Sequence, residues 1–206
     1  MVIPADVAPL SKSTPFRAKG RTYVHALEFY EAQIRGGVRA VLGQLNASEL
    51  RSLLEHPFAP DAWYDVMPIV PISLAASKAK RTTHAKLVRE NAAWAATRDR
   101  QGTFRALLEQ SSVAMVAQQL PKLSMQYFDF GNSDGRMIRD NTFDMSRTGI
   151  PGPLVAWFGW TIEGYVPATL TLAGAKEVRV RTNAPEPDGE VMGVATARLH
   201  FEIAWR

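Results

Sequence analysis

A chain of 206 residues, 46% of them hydrophobic, is long enough to bury a continuous core and short enough to form one domain. Its 24 Lys and Arg against 20 Asp and Glu leave a formal charge of +4, a mild excess that selects no polyanionic partner. The lack of cysteine excludes a disulfide framework, thiolate metal sites and a cysteine nucleophile.

Residues 1–20, MVIPADVAPLSKSTPFRAKG, hold three prolines and no signal-peptide core, so a flexible tail is expected there and a single α+β domain over 21–206. Tyr23, Leu27, Tyr30, Ile34, Val38, Val41 and Leu45 then recur every three or four positions, a helical stripe interrupted by Gly36-Gly37. Asn46 is placed to cap a short helix, ASELRSLLEH, that Pro57 and Pro60 end. Asp61 is placed to cap a third, beginning AWYDVM, that Pro68 and Pro71 bend or split. A fourth helix from about Thr83 to Arg98 turns Leu87, Val88, Trp94 and Ala95 inward. A fifth, from Thr103, carries Phe104, Leu107, Leu108, Ser111 and Met115 on one face.

From Met125 the pattern changes to β: MQYFDF, then GRMIRDNTFDMSRTG with Asp140-Asn141 as a hairpin tip. The PGP at 151–153 leads into LVAWFGWTIEGYVPATLTLAG, read as a helix bent near Pro167 and stopped at Gly174. KEVRVRT and VMGVATARLHFEIAW follow as two strands joined by the turn-rich NAPEPDGE. The order of helices, two strands, helix and two strands is an α+β plan. The longest apolar run, VMPIVPISLAA, is too short for a membrane span and is broken by two prolines, so a soluble, cytoplasmic protein is expected.

Chemistry is sparse. Gly131-Asn132-Ser133-Asp134-Gly135 matches the G-x-S-x-G pattern of a nucleophile elbow, which requires a strand before the serine and a helix after it. RMIRDN follows instead, with no helical stripe, and the five residues are those favoured in tight turns. His25, His56, His84 and His200 show no metal-ligand spacing, and no metal or catalytic residue is assigned. The basic stretch between Lys78 and Arg105 is interrupted by Glu90 and Asp99 and lacks a stacking platform, so it reads as a solvated face rather than a nucleic-acid footprint. The aromatic group Trp157, Phe158, Trp160 and Tyr165 makes its helix apolar around most of a turn, as a helix covered on several sides must be, and core packing is its plainest role. Tyr127, Asp129 and Arg147 are polar candidates beside any pocket that these rings line.

YFDFG, RTGIPGPLVAWFGWTIEGYVPATLTLAGAKEVRVRT, the closing HFEIAW and the earlier ELRSLLEHPFAPDAWYDV with Trp63-Tyr64 resemble a myxobacterial family of about 200 residues of unknown function. In its ββαββ ending that family is similar to a superfamily of four-vinyl-reductase sensor domains, haem-nitric-oxide-binding domains and a Golgi vesicle-tethering subunit. The resemblance implies an N-terminal helical layer on a four-stranded antiparallel sheet, often dimeric, around an apolar cavity for a small molecule, haem or acyl chain. Against it stand the missing sensor cysteines and the missing Tyr-x-Ser-x-Arg signature of the haem-binding relatives, so no cofactor is expected.

The expectation is a non-enzymatic sensory or regulatory module that binds an apolar small molecule or lipid and signals through a homodimer or a partner. Pocket candidates are Phe104, Leu108, Met115, Tyr127, Phe128, Trp157, Trp160 and Tyr165. A structural interaction module with a filled core, and a serine hydrolase using Ser133, are the alternatives.

Overall fold

The computed structural model describes residues 14–102, 104–106 and 112–206. Strand β1 (Arg17–Lys19) pairs antiparallel with β2 (Trp63–Asp65), so AWYDVM enters a strand rather than a helix. Trp63 and Tyr64 favour a pleated surface, and β1 gives them an edge to pair with. The Asp65 carboxylate ties the ends of this ribbon, accepting from the N–H groups of Thr14 (2.7 Å) and Met67 (2.9 Å). Residues 14–20 of the expected tail are thus part of the fold, with Phe16 only 2% exposed; residues 1–13 lie outside the described residues.

Helix α1 (Arg21–Gln33) stops where Gly36 and Gly37 adopt φ of 87° and 58°, and α2 (Gly37–Leu42) starts on a new axis. The two glycines are a break in the stripe, made from the left-handed backbone that glycine reaches at least cost. In α3 (Ser48–Leu54) the N-cap residue is Ala47, with no side-chain cap bond, so Asn46 does not cap it. Helix α4 (Ile69–Lys80) begins directly after Pro68 and holds Pro71 in its first turn, where a missing N–H leaves no bond unmade.

Helix α5 (His84–Gln101) starts where expected, after Thr83, whose side chain caps it by accepting from the Lys86 N–H. Helix α6 (Val113–Tyr127) is capped by Ser112 and carries Pro121 inside it. Leu107, Leu108 and Ser111, expected on a helix face, lie outside the described residues. MQY, expected as strand, closes α6; beyond it Phe128 makes only an isolated bridge to Ala18.

Strands β3 (Ser133–Arg139) and β4 (Thr142–Pro151) form the expected hairpin across Asp140-Asn141. A 3₁₀ turn at Gly152–Leu154 leads into α7 (Val155–Leu172), and β5 (Arg179–Thr182), β6 (Glu186–Val191) and β7 (Val194–Ala204) complete the sheet. The order is β3-β4-β7-β5, with β6 also on β7, all antiparallel. Eleven residues make β7 long enough to hold β5 and β6 in succession along one edge, with β4 along the other, so EPDGEV forms a fifth strand where a turn is expected.

Helix α7 organises the interior. At Gly159 it lies over the sheet, where an added Cβ would stand 3.8 Å from Leu199 and 3.9 Å from Thr182. At Gly164, about 140° further around the helix, it meets α5 so closely that an added Cβ would lie 2.2 Å from the Arg89 carbonyl oxygen. An apolar helix with contacts on both sides is the physical reason for its Trp, Phe and Ile content. Among the described residues no helix is long and apolar enough to cross a membrane.

Candidate ligand-binding site

Where α1, α5, α6 and α7 converge over β4, the packing leaves a partly enclosed cavity. Helix α6 contributes Leu120, Leu123, Ser124 and Tyr127, an i, i+3, i+4, i+7 stripe, with Phe128 next in the chain. Helix α7 contributes Trp157, Thr161, Ile162, Tyr165 and Val166, at i, i+4, i+5, i+8 and i+9 along one side. Asn91, Ala92 and Ala95 of α5, Thr22 and His25 of α1, and Met145 of β4 close it. The small side chains of α5 leave the opening between larger walls.

About 70 Å³ is left for the centres of water-sized molecules, about half of the ~150 Å³ that accommodates benzene in an engineered apolar cavity. Among the described residues no Lys, Arg, Asp or Glu lines it. Burial lowers the His25 pKa, against the opposing pull of Asp99 and Glu28, so the imidazole on this wall is held toward its neutral form.

Among the described residues four wall atoms are buried and have no protein hydrogen-bond partner: Thr22 Oγ1, His25 Nδ1, Asn91 Oδ1 and Ser124 Oγ. A buried polar group without a partner costs about 1–3 kcal/mol, so four on one apolar cavity point to something that occupies it.

Behind two of the walls lies a polar knot. Asp99, 4% exposed in the last turn of α5, accepts from the Tyr127 hydroxyl at 2.5 Å and the Tyr165 hydroxyl at 2.6 Å, fastening α5 to α6 and α7. Burial raises the carboxyl's pKa, while the two hydroxyl bonds, His25 and Arg21 oppose the rise. Both tyrosine pKa values are pushed well up by burial and the neighbouring carboxylate, so the hydroxyls remain donors.

Of the pocket candidates, Tyr127, Phe128, Trp157 and Tyr165 are on the cavity wall. Trp160 is half-buried and sits edge-on to His84, ring centroids 5.2 Å apart, away from the cavity. Phe104 belongs to the core but does not line the cavity; Met115, at the start of α6, is 55% exposed; Leu108 lies outside the described residues. Asp129 is exposed and accepts the Arg17 N–H at 2.7 Å. Arg147 is 0% exposed but set apart, its guanidinium donating to the Phe130 carbonyl and the Met125 sulfur between the rings of Phe130 and Phe158. Burial pulls the Arg147 pKa down to about 10.

Ser133 opens β3 and its hydroxyl donates to the Ser146 carbonyl at 3.3 Å, so a strand follows where an elbow needs a helix. Gly131 and Gly149, at φ of 60° and 63°, let two backbone segments cross where a side chain on Gly131 would sit 1.9 Å from the Thr148 oxygen. Three cations of the basic stretch are paired with carboxylates, as Lys80–Glu90, Arg89–Glu163 and Arg98–Glu28. Among the described residues no group of three or more His, Asp or Glu is placed to hold a metal ion.

No protein-family model matches the chain, and no curated protein does. Its fold is that of H-NOX domains. A Cs H-NOX mutant carrying 4-cyano-L-phenylalanine is similar over 91% of this chain and 96% of its own at TM-score 0.66 and 12% identity. An oxygen-binding H-NOX domain related to soluble guanylate cyclases, as its oxygen complex, is similar over 91% and 92% at TM-score 0.62 and 12% identity. A structure probing haem distortion in the H-NOX family is similar to the same extent, 91% and 92%, at TM-score 0.62 and 12% identity. At such identities the likeness is one of fold.

Proposed function

We propose that this protein is a sensory or regulatory module without catalytic activity, which takes an apolar small molecule into the cavity between α1, α5, α6 and α7 and relays its presence through a homodimer or partner. The observation that supports this reading is the cavity itself, predominantly apolar with a few polar groups, the usual makeup of a ligand site. Its place in an H-NOX-like fold, whose named examples bind oxygen or concern haem, favours a sensory role.

Haem does not fit these residues. A cofactor-sized ligand takes a pocket on the scale of about 300–1,000 Å³, whereas about 70 Å³ is open here between Tyr127, Phe128 and Trp157. Among the described residues no cationic side chain lines the cavity to meet propionates. Among the described residues His25 is the single imidazole on the wall, and it comes from α1 with its Nδ1 unpartnered. The ligand must be smaller than a tetrapyrrole.

Occupancy can signal only where the ligand binds one conformation more tightly than another. The α5–α6–α7 junction is a suitable two-position element, because the three helices both wall the cavity and share the Asp99 knot. The test is native mass spectrometry and thermal unfolding with small uncharged compounds, beside Ala95→Leu, which adds three carbons to the wall. Retained mass or a rise in Tm that Ala95→Leu abolishes is the expected result. Absence of binding by any compound would overturn the reading in favour of a filled core. Light scattering with and without the bound compound tests the dimer.

A further inference from the structure

The four unpartnered wall atoms specify more than an apolar hole. Thr22 and His25 are one turn apart on α1, Asn91 comes from α5 and Ser124 from α6, so three separate helices each turn a polar atom to the same space. The Asn91 carbonyl oxygen only accepts, whereas the hydroxyls of Thr22 and Ser124 both donate and accept. An occupant that satisfies this wall must bring a donor and an acceptor. The absence of any charged side chain on the wall among the described residues sets the second condition, because an ion there would lose its hydration with no opposite charge among them. Space sets the third: about 70 Å³ suits a body of a few carbons.

We infer that the ligand class is a short-chain neutral alcohol, its hydroxyl donating to Asn91 Oδ1 and accepting from Ser124 or Thr22 while its alkyl chain lies among Leu120, Ile162 and Trp157. This rests on the cavity's being a ligand site, as proposed above, and adds that polar recognition rather than apolar filling decides what enters. Waters could satisfy the same four atoms, but most of the wall is apolar and offers them no further partner.

The test compares 1-butanol, 1-chlorobutane and butyrate by ¹H–¹⁵N NMR titration of the full chain, with intrinsic tryptophan fluorescence as an independent readout. The expected result is 1-butanol binding at least tenfold tighter than 1-chlorobutane, with butyrate giving no shift at the cavity residues. Asn91→Leu should reduce the alcohol's advantage to less than threefold while 1-chlorobutane binds as before. Ser124→Ala, a smaller change that leaves the helix intact, should reduce it in part and guards against misfolding of the first variant. Equal binding of 1-butanol and 1-chlorobutane would overturn the alcohol assignment and leave an apolar ligand site standing. Butyrate bound as tightly as 1-butanol would overturn the neutral-ligand condition. Binding of none of the three, with water cross-peaks to the wall, would overturn the alcohol assignment and count against the ligand site as well.

Discussion

Gly164→Ala places one methyl group against the backbone of α5, and its effect can be worked out from the geometry. The added Cβ would lie 2.2 Å from the Arg89 carbonyl oxygen, 2.7 Å from its Cα and 2.8 Å from its carbonyl carbon, where ordinary contacts begin at 3.4 Å. The obstructing atoms are helix backbone, so relief requires α5 and α7 to separate by about 1 Å along their contact. Overpacking costs about 1–3 kcal/mol, and a clash against backbone belongs at the upper end. Alanine's helix propensity returns about 1 kcal/mol over glycine, leaving a net loss of about 1–2 kcal/mol. Gly159→Ala is the internal control, since its Cβ would meet only side-chain atoms at 3.8 Å and 3.9 Å on the same helix. It should be neutral or stabilising by up to about 1 kcal/mol. Urea unfolding followed by circular dichroism gives both values, provided that the m-values match. Equal stability of the two variants would refute the close crossing of α5 and α7.

Asp99→Ala strands the hydroxyls of Tyr127 and Tyr165 and should cost about 2–4 kcal/mol, whereas Asp99→Asn keeps an acceptor for both and should cost less than half as much at pH 7, read by urea unfolding. Because burial raises the Asp99 pKa in the folded state, the native protein holds this proton more tightly than the unfolded chain. The stability of wild type relative to Asp99→Asn should therefore increase as pH falls from neutral through the raised folded value toward the ordinary carboxyl range, and a flat difference over that window refutes the assignment. Gly131→Ala should lose more than about 2 kcal/mol, combining left-handed strain with contact against the Thr148 oxygen, while Ser133→Ala, which loses one 3.3 Å bond, should stay within about 1 kcal/mol.

The sequence carried the elements that local chemistry decides. Thr83 begins α5, Asp140-Asn141 turns the β3–β4 hairpin, and Gly36-Gly37 ends α1, each because a cap, a tight turn or a positive φ can be read from one or two residues. It misled where a distant partner decides. AWYDVM is a strand because Arg17–Lys19 pairs with it, and EPDGEV is a strand because β7 has edge to spare. One wall of the cavity was hidden by one such error: reading MQYFDF as strand cuts the Leu120, Leu123, Ser124, Tyr127 stripe in two, although its helical spacing is plain once α6 runs to Tyr127. Trp157 and Tyr165 of α7 could be read as wall because a mostly apolar helix needs neighbours on several sides, but the same reasoning wrongly drew in Trp160. Asp99 could not, since no local pattern marks a carboxylate that Tyr127 and Tyr165 approach from 28 and 66 residues away.

Cavity and knot belong to one mechanical unit, and that makes their coupling measurable. Tyr127 and Tyr165 each present a ring to the cavity and a hydroxyl to Asp99, so any occupant that spreads α6 from α7 must lengthen at least one of the two bonds. A ligand at a hundred times its Kd stabilises the form it binds by about 2.7 kcal/mol, the same scale as the about 2–4 kcal/mol assigned to stranding both hydroxyls. The two terms are on one scale, so a ligand that binds only the opened form can shift the knot, which it could not do if the knot outweighed it severalfold. If binding opens the knot, Asp99→Ala should bind 1-butanol more tightly than wild type, because the bond need no longer be broken. If the knot merely holds the wall in shape, the same variant should bind it more weakly. Reciprocity requires the first outcome to appear also as faster amide hydrogen exchange near Asp99 in saturated wild type. Unchanged affinity in Asp99→Ala together with unchanged exchange would mean that the cavity and the knot are neighbours without being coupled.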